Sequence, residues 1–506
     1  MTRQEAMDIV SRFPKSDPDA AFSTGVRLLK ADFPELLLPI AQKLSKNFAN
    51  DPRMHQLLGL AARACGDSDI ALSAFRDACR ILPSNALMAH SYARAALEAG
   101  NPAISLFERA SQLAPQDGTV LQGLASALFH EGRSSEAIAL LERITDANPL
   151  WSEGQRDLAH LRGQMGLPPL HRLAQKSTEL RQSRELTRLF ITLSLEARDL
   201  ELASATVAEA AANFGEEDWL VILSGHIQSE LGWIAEADAN FSKRNLATNI
   251  EDASLYARHL IRASRPREAA SLLEPLVGMD RDRMLWPYLS LAWRLLNDER
   301  WQWLEGDPRL IGTYNIAKKF GDMNGLAKRL RELHVSKAEP LDQSVRGGTQ
   351  TDGNLLLRTE PVFRRLRRAL MAAVDEHVRQ LPAFQANHPT LLKNREPRRI
   401  SGSWSVRLSQ TGHHVDHVHS QGWLSSAFYV ALPPKSTTAD QHDGWLALGE
   451  CRELAPSLAP YKLVEPKVGQ LVLFPSTMWH GTRPFPSGER MSVAFDVARP
   501  RQSKAG

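Results

Sequence analysis

At 506 residues the chain is too long for one ordinary domain, and two to four folding units are expected. Hydrophobic residues make up 43% and charged residues 24%, ordinary for a globular protein, and a net charge of +3 gives no basis for wholesale binding to nucleic acid or membranes. Cys65, Cys79 and Cys451 stand singly, which excludes a disulfide framework and a thiolate zinc site and fits a reducing compartment. The opening stretch Met1–Val10 lacks the apolar core of a signal peptide, and no run of about 18 apolar residues could span a bilayer. The expected location is cytoplasmic.

The amino-terminal part is repetitive. Pro52, Pro83, Pro115 and Pro149 fall 31, 32 and 34 residues apart. Small and apolar residues recur in step between them: Gly59, Ala71, Phe75 and Ala78, then Ala103, Phe107 and Ala110, then Ala125, Ala137, Leu141 and Ile144. Ala and Gly at fixed positions let two helices approach closely, larger residues fill the groove beside them, and Pro ends the second helix. The pattern resembles the tetratricopeptide repeat, a helix-turn-helix unit of about 34 residues. Residues 1–165 read as clear repeats. Beyond them the register decays while helical patterning continues, with Leu231, Gly232, Trp233, Ala237 and Phe241 echoed by Ala269 and Leu273, so 166–335 reads as degenerate helical repeats. Trp286, Trp293, Trp301 and Trp303 crowd the end of this stretch and are expected to cap its last helices against the next domain. An array of this kind presents an extended concave surface, so the expected partner is a protein or peptide. A purely structural array is the plainer alternative.

Near Ser336–Pro340 the helical period stops, and the polar, glycine-bearing segment 343–351 predicts a loop or short strand. A helix is predicted from about Glu360 to Leu381. Its basic run Arg364, Arg365, Arg367 and Arg368 is mixed with Phe363, Leu366 and Leu370, so a solvated helix face is expected. From Ile400 onward short strands are predicted at Ser403–Leu408, Trp423–Leu432, Trp445–Leu448, Gln470–Phe474 and Met491–Val497. Such spacing suggests a barrel or double-stranded jelly roll. The fold class expected is therefore multidomain: an all-α solenoid followed by a mainly-β domain over 336–500.

Four of the 16 histidines fall in the seven positions His413–His419. In an extended segment residues two apart face the same side, so His417 and His419 can aim at one point, with His480 arriving from a distant strand. Two metal-binding triads are open on spacing alone. One is His417, His419 and His480; the other is His414, Asp416 and His480, which supplies the carboxylate usual in open iron sites. His413 and His414 otherwise read as polar support, His388 as structural, and His442, in the polar loop 439–444, as solvent-facing. Arg490 and Ser492 share one face of the last predicted strand, where a guanidinium can hold a carboxylate by two parallel hydrogen bonds.

Residues 340–497 resemble the 2-oxoglutarate/Fe(II)-dependent oxygenase superfamily, and more narrowly the oxygenase domains found behind tetratricopeptide repeats. The segments that carry the resemblance are 343–351, Gly402–Leu408, His417–Val430, Leu471–His480 and Arg490–Val497. The resemblance implies His417, His419 and His480 as iron(II) ligands, Arg490 with Ser492 for the 2-oxoglutarate carboxylate, and Tyr429 as a further contact to that cosubstrate. Two positions depart from the pattern. Ser420 stands where Pro usually follows the second His, and the ligand pair lacks the superfamily's usual carboxylate. The implied activity is a dioxygenase, most often a hydroxylase, that converts 2-oxoglutarate to succinate and carbon dioxide; no residue is assigned as a general acid or base. The competing readings are an interaction scaffold with a catalytically silent β barrel, and a cupin-type metalloenzyme that does not use 2-oxoglutarate.

Overall fold

The computed structural model describes residues 1–244, 246, 249–434 and 442–502; residues 439–441 of the loop before His442 lie outside the described residues. Two compact units are present. The first comprises Met1–Leu141, Asp352–Arg368 and the chain from Pro500; the second comprises Glu142–Thr351 and Ala369–Arg499.

In the first unit, helices such as Pro52–Ala64, Ser68–Ile81, Ala86–Glu98, Ile104–Leu113 and Gly118–His130 each pack on their neighbours in the chain. Their starts are set by side chains that accept otherwise orphaned backbone N–H groups: Asp51 from Arg53, Asn85 from Met88, and Asp117 from Thr119 and Val120. Their spacing is set by glycine opposite phenylalanine. A Cβ on Gly123 would lie 2.1 Å from the Phe107 ring, and one on Gly59 would lie 2.5 Å from the Phe75 ring. Phe75, Ala78, Phe107, Ala110, Ala125, Ala137 and Leu141 are all buried, as the repeat pattern requires. Pro52 differs from the expectation. It opens the helix Pro52–Ala64, where a missing N–H costs nothing, whereas Pro83 and Pro115 do follow helix ends.

The predicted helix after residue 360 runs Pro361–Gln380. Its basic face is only partly solvated. Arg364, Arg365 and Arg368 are exposed, but Arg367 is half-buried and donates to the Gly66 carbonyl at the end of a repeat helix. Residue spacing could not distinguish that cap from a solvated cation.

In the second unit helices continue from Ser152–Gln164 to Trp286–Leu295, again packed in chain order. A Cβ on Gly225 would lie 3.2 Å from the Phe241 ring, so the glycine-aromatic packing persists where the repeat register fades. Among the described residues nine strands follow: β1 Gly312–Asn315, β2 Val345–Gln350, β3 Ile400–His414, β4 Gly422–Ala431, β5 Leu446–Leu448, β6 Lys462–Val464, β7 Gln470–Pro475, β8 His480–Thr482 and β9 Arg490–Ala498. They form a six-stranded sheet in the order β1-β7-β4-β9-β3-β2 and a three-stranded sheet in the order β6-β5-β8, with every pairing antiparallel. Tyr429, Val472 and Phe474 of the large sheet pack with Leu446, Leu448 and Val464 of the small one in a shared core. This is a jelly-roll arrangement of two curled sheets.

Strand β1 corrects the helical expectation for its stretch. It lies within 166–335, yet it pairs with β7 at the sheet edge. Strands of three or four residues, such as β1, β6 and β8, are too short to show a period in sequence. The tryptophans behave as expected. Trp286 and Trp293 join a buried cluster with Cys451, Leu454, Ala455 and Trp479, and the Trp479 indole N–H donates to the Pro287 carbonyl at 2.9 Å. Trp301 meets the Tyr461 ring and Trp303 the His388 ring.

Candidate metal centre

Residues 415–419 lie between β3 and β4 and run antiparallel to residues 476–480. His417 and His480 exchange backbone hydrogen bonds of 2.9 Å in both directions, and the His419 N–H donates to the Ser476 carbonyl at 2.9 Å. Alternation then sorts the segment. His417 and His419 turn toward His480, while Val418 packs into the tryptophan cluster. The candidate ligand atoms of His417, His419 and His480 all lie within 4.8 Å of one another.

Hydrogen bonds fix which nitrogen of each ring is available. His417 Nδ1 lies 2.9 Å from the Val415 carbonyl and His480 Nδ1 lies 3.0 Å from the Met478 carbonyl. A carbonyl can only accept, so Nδ1 carries the proton and Nε2 keeps the lone pair. His419 Nδ1 lies 2.9 Å from Asp496 Oδ1, a carboxylate that also accepts from Ser425 Oγ at 2.7 Å. Ser425 pairs with Asp496 in the register of β4 and β9, and with its proton on Asp496 its Oγ accepts from the Ser476 hydroxyl at 2.9 Å. Ser344 Oγ bridges His414 Nδ1 at 3.0 Å and His417 Nε2 at 3.2 Å. Burial, reinforced by the neighbouring imidazoles, holds His480 and His414 well below the usual histidine range and His417 at about 3. At neutral pH His417 and His480 therefore offer lone pairs without first shedding protons, which suits a divalent metal.

The alternative triad does not assemble. Asp416 turns away from the cluster, where Arg452 grips it with Nε and the backbone N–H on Oδ2 at 2.9 Å each and Nη2 on Oδ1 at 3.2 Å. His413 Nδ1 meets the Thr411 carbonyl at 3.2 Å, outside the cluster. His388 bonds the Trp303 carbonyl and two backbone N–H groups, a structural role. His442 is half-buried with its ring edge-on to Trp445 at 4.8 Å, so it is not simply solvent-facing.

Arg490 is 2% exposed, and its Nε has no hydrogen-bond partner. Its guanidinium lies 5.1 Å from the centre of the Tyr429 ring, and the Tyr429 hydroxyl is buried without a partner. Ser492, also buried, pairs with Tyr429 across β4 and β9. Among the described residues Arg490 has no carboxylate partner, and burial pushes its guanidinium below the ordinary range. A buried cation beside an orphaned phenol is a donor set that fits a carboxylate. Asp496, Ser344 and Arg452 were not singled out in the sequence. Asp496 had a signal, because it lies on the same alternating face of β9 as Arg490 and Ser492.

Residues 402–496 match the family described as "Putative 2OG-Fe(II) oxygenase", and residues 103–161 match the tetratricopeptide repeat. The chain carries an oxygenase-family domain behind tetratricopeptide repeats. No curated protein matches the chain. Among solved structures, the chain is similar to a Pseudomonas putida prolyl-4-hydroxylase at 15% identity, over 38% of this chain and 94% of that one, with a TM-score of 0.28. HygX from Streptomyces hygroscopicus, with nickel and 2-oxoglutarate bound, is similar at 13% identity over 37% and 82%, TM-score 0.28. A tetratricopeptide repeat protein from Parabacteroides merdae is similar at 14% identity over 48% and 98%, TM-score 0.30. The family of the oxygenase-family domain implies iron(II) and 2-oxoglutarate, and its histidine cluster offers a place for the metal. Among the described residues no helix is long and apolar enough to cross a membrane.

Proposed function

We propose that this protein is an iron(II)- and 2-oxoglutarate-dependent dioxygenase, a hydroxylase whose repeats recruit a protein or peptide. The observation that carries the reading is the convergence of three imidazoles within 4.8 Å in the same domain as a buried Arg490 whose Nε has no hydrogen-bond partner. When bound, iron(II) and 2-oxoglutarate supply an oxidative decarboxylation with dioxygen that yields succinate, carbon dioxide and an oxidant for a C–H bond. His417, His419 and His480 would hold the metal. Asp496 fixes the tautomer of His419 and adds basicity to a ligand set that has no carboxylate of its own. Arg490 binds the far carboxylate of the cosubstrate, with Ser492 and the Tyr429 hydroxyl donating beside it. Trp404 against His419 and Phe474 against His480 limit water around the rings. In domain terms, 336–500 with β1 forms the oxygenase, 1–165 the repeats and 166–335 their degenerate continuation, and the reducing environment implied by single cysteines is the cytoplasm.

The test is metal analysis and cosubstrate turnover on the full-length protein. Iron enrichment and succinate formation dependent on 2-oxoglutarate are expected, both lost in His480→Ala, whereas Arg490→Gln keeps the metal and loses 2-oxoglutarate binding. A protein that neither enriches iron nor binds 2-oxoglutarate would be an interaction scaffold with a silent barrel.

A further inference from the structure

The second unit contains another buried guanidinium with an unpartnered nitrogen. Arg283, in the loop before helix Trp286–Leu295, is 5% exposed. Its Nη1 has no hydrogen-bond partner, and its Nε reaches the Ser420 carbonyl only at a long 3.4 Å. Arg499 lies beside the same turn: it follows Ala498, which pairs with Gly422 in the register of β4 and β9. Its Nε is likewise buried without a partner. Among the described residues neither guanidinium is in an ion pair with a carboxylate. Asp280 is nearby, but its two oxygens accept from the Met284 and Leu285 N–H groups at 3.0 and 2.8 Å, and Asp282 is exposed. Burial lowers both cations, and the charge of Arg499 adds to the effect on Arg283.

Guanidinium nitrogens left buried without an acceptor, here Arg283 Nη1 and Arg499 Nε, are costly unless oxygen ligands join them. Paired N–H forks suit the oxygens of a carboxylate or phosphate. Arg499 is only half-buried, which leaves a route from solvent. Location separates this pair from Arg490. Arg499 lies three residues beyond Asp496, about 10 Å along an extended chain, but nine residues and roughly 30 Å from Arg490. Along β9 the histidine cluster falls between the two cationic places. We infer that Arg283 and Arg499 form an oxyanion subsite at the metal-side end of β9 that takes a carboxylate or phosphate group of the substrate. Its assignment to the substrate rests on the oxygenase reading.

The test uses the full-length protein loaded with manganese(II), titrated separately with inorganic phosphate, acetate and 2-oxoglutarate by calorimetry and thermal shift. Phosphate or acetate is expected to bind and raise the melting temperature. Arg283→Gln and Arg499→Gln are each expected to bind the anion about tenfold or more weakly, with 2-oxoglutarate affinity unchanged. Response to phosphate alone assigns a phosphate group, and response to acetate as well assigns a carboxylate-sized oxyanion. If a glutamine variant fails to fold, Arg283→Lys or Arg499→Lys keeps the charge, loses the fork and is expected to bind with intermediate affinity. Absence of any anion response in the wild type, or variants that bind as well as the wild type, overturns the subsite. If the wild type binds phosphate but not 2-oxoglutarate, the oxygenase reading falls while the cation pair stands as an anion site.

Discussion

The repeats of the first unit and the jelly roll of the second place their key contacts at very different sequence separations. Gly59 meets Phe75, and Gly123 meets Phe107, each pair sixteen positions apart on successive helices. His419 meets Asp496 across 77 positions and Ser425 meets it across 71. Local contacts write a period into the sequence; distant ones do not. The repeats therefore depend on shape at each helix crossing, and the site depends on strand register.

Removing a repeat's aromatic filler gives the largest expected change in stability. Phe107→Ala is expected to destabilise the first unit by about 3–5 kcal/mol, read by chemical denaturation, while 2-oxoglutarate binding is unchanged; a parallel loss of cosubstrate binding would show that the two regions are not independent. Arg490→Gln is expected to do the reverse, weakening 2-oxoglutarate binding by about 2–3 kcal/mol with the unfolding of the repeats unaltered, as calorimetry and denaturation would report. Asp496→Asn keeps the shape but removes the charge behind His419. Metal titration should then give an affinity roughly 10- to 100-fold weaker, and an unchanged value would mean that the strand register, rather than the carboxylate, orients the ring.

A further effect, spread over several pH units, comes with acid. Burial depresses His377 and His388, both in the second unit, to about 4 from an ordinary 6.5. The unfolded chain takes up these protons below about 6.5 while the folded chain does not, so their stabilisation is complete above that pH. It falls as the pH drops toward 4, at up to about 1.4 kcal/mol per pH unit for each histidine. Replacing both with asparagine should flatten this slope in denaturation curves measured between pH 6.5 and 4.

Much of both regions was readable in advance. The helix after residue 360, the strands β3, β4, β5, β7 and β9 and the buried positions of the repeats follow from period and composition, because each depends on neighbours one turn or two residues away. The other four strands are harder. The sequence of β2 fits a loop or a strand, and β1, β6 and β8 exist because a neighbouring strand supplies their hydrogen bonds. The same holds for Arg367, whose carbonyl partner lies some three hundred residues away.

By itself the sequence determined that a helical array precedes a β domain, and it pointed to His417, His419, His480, Arg490 and Ser492 as candidates through residue type and alternation. Tyr429 came only from the family resemblance. Only the tertiary structure brings His417, His419 and His480 together and turns Asp416 to Arg452, because both depend on contacts between distant segments. It also brought Asp496 to His419 and set Arg283 near Arg499. Sequence distance carries no information about such pairs, and their geometry exists only once the strands have found their register.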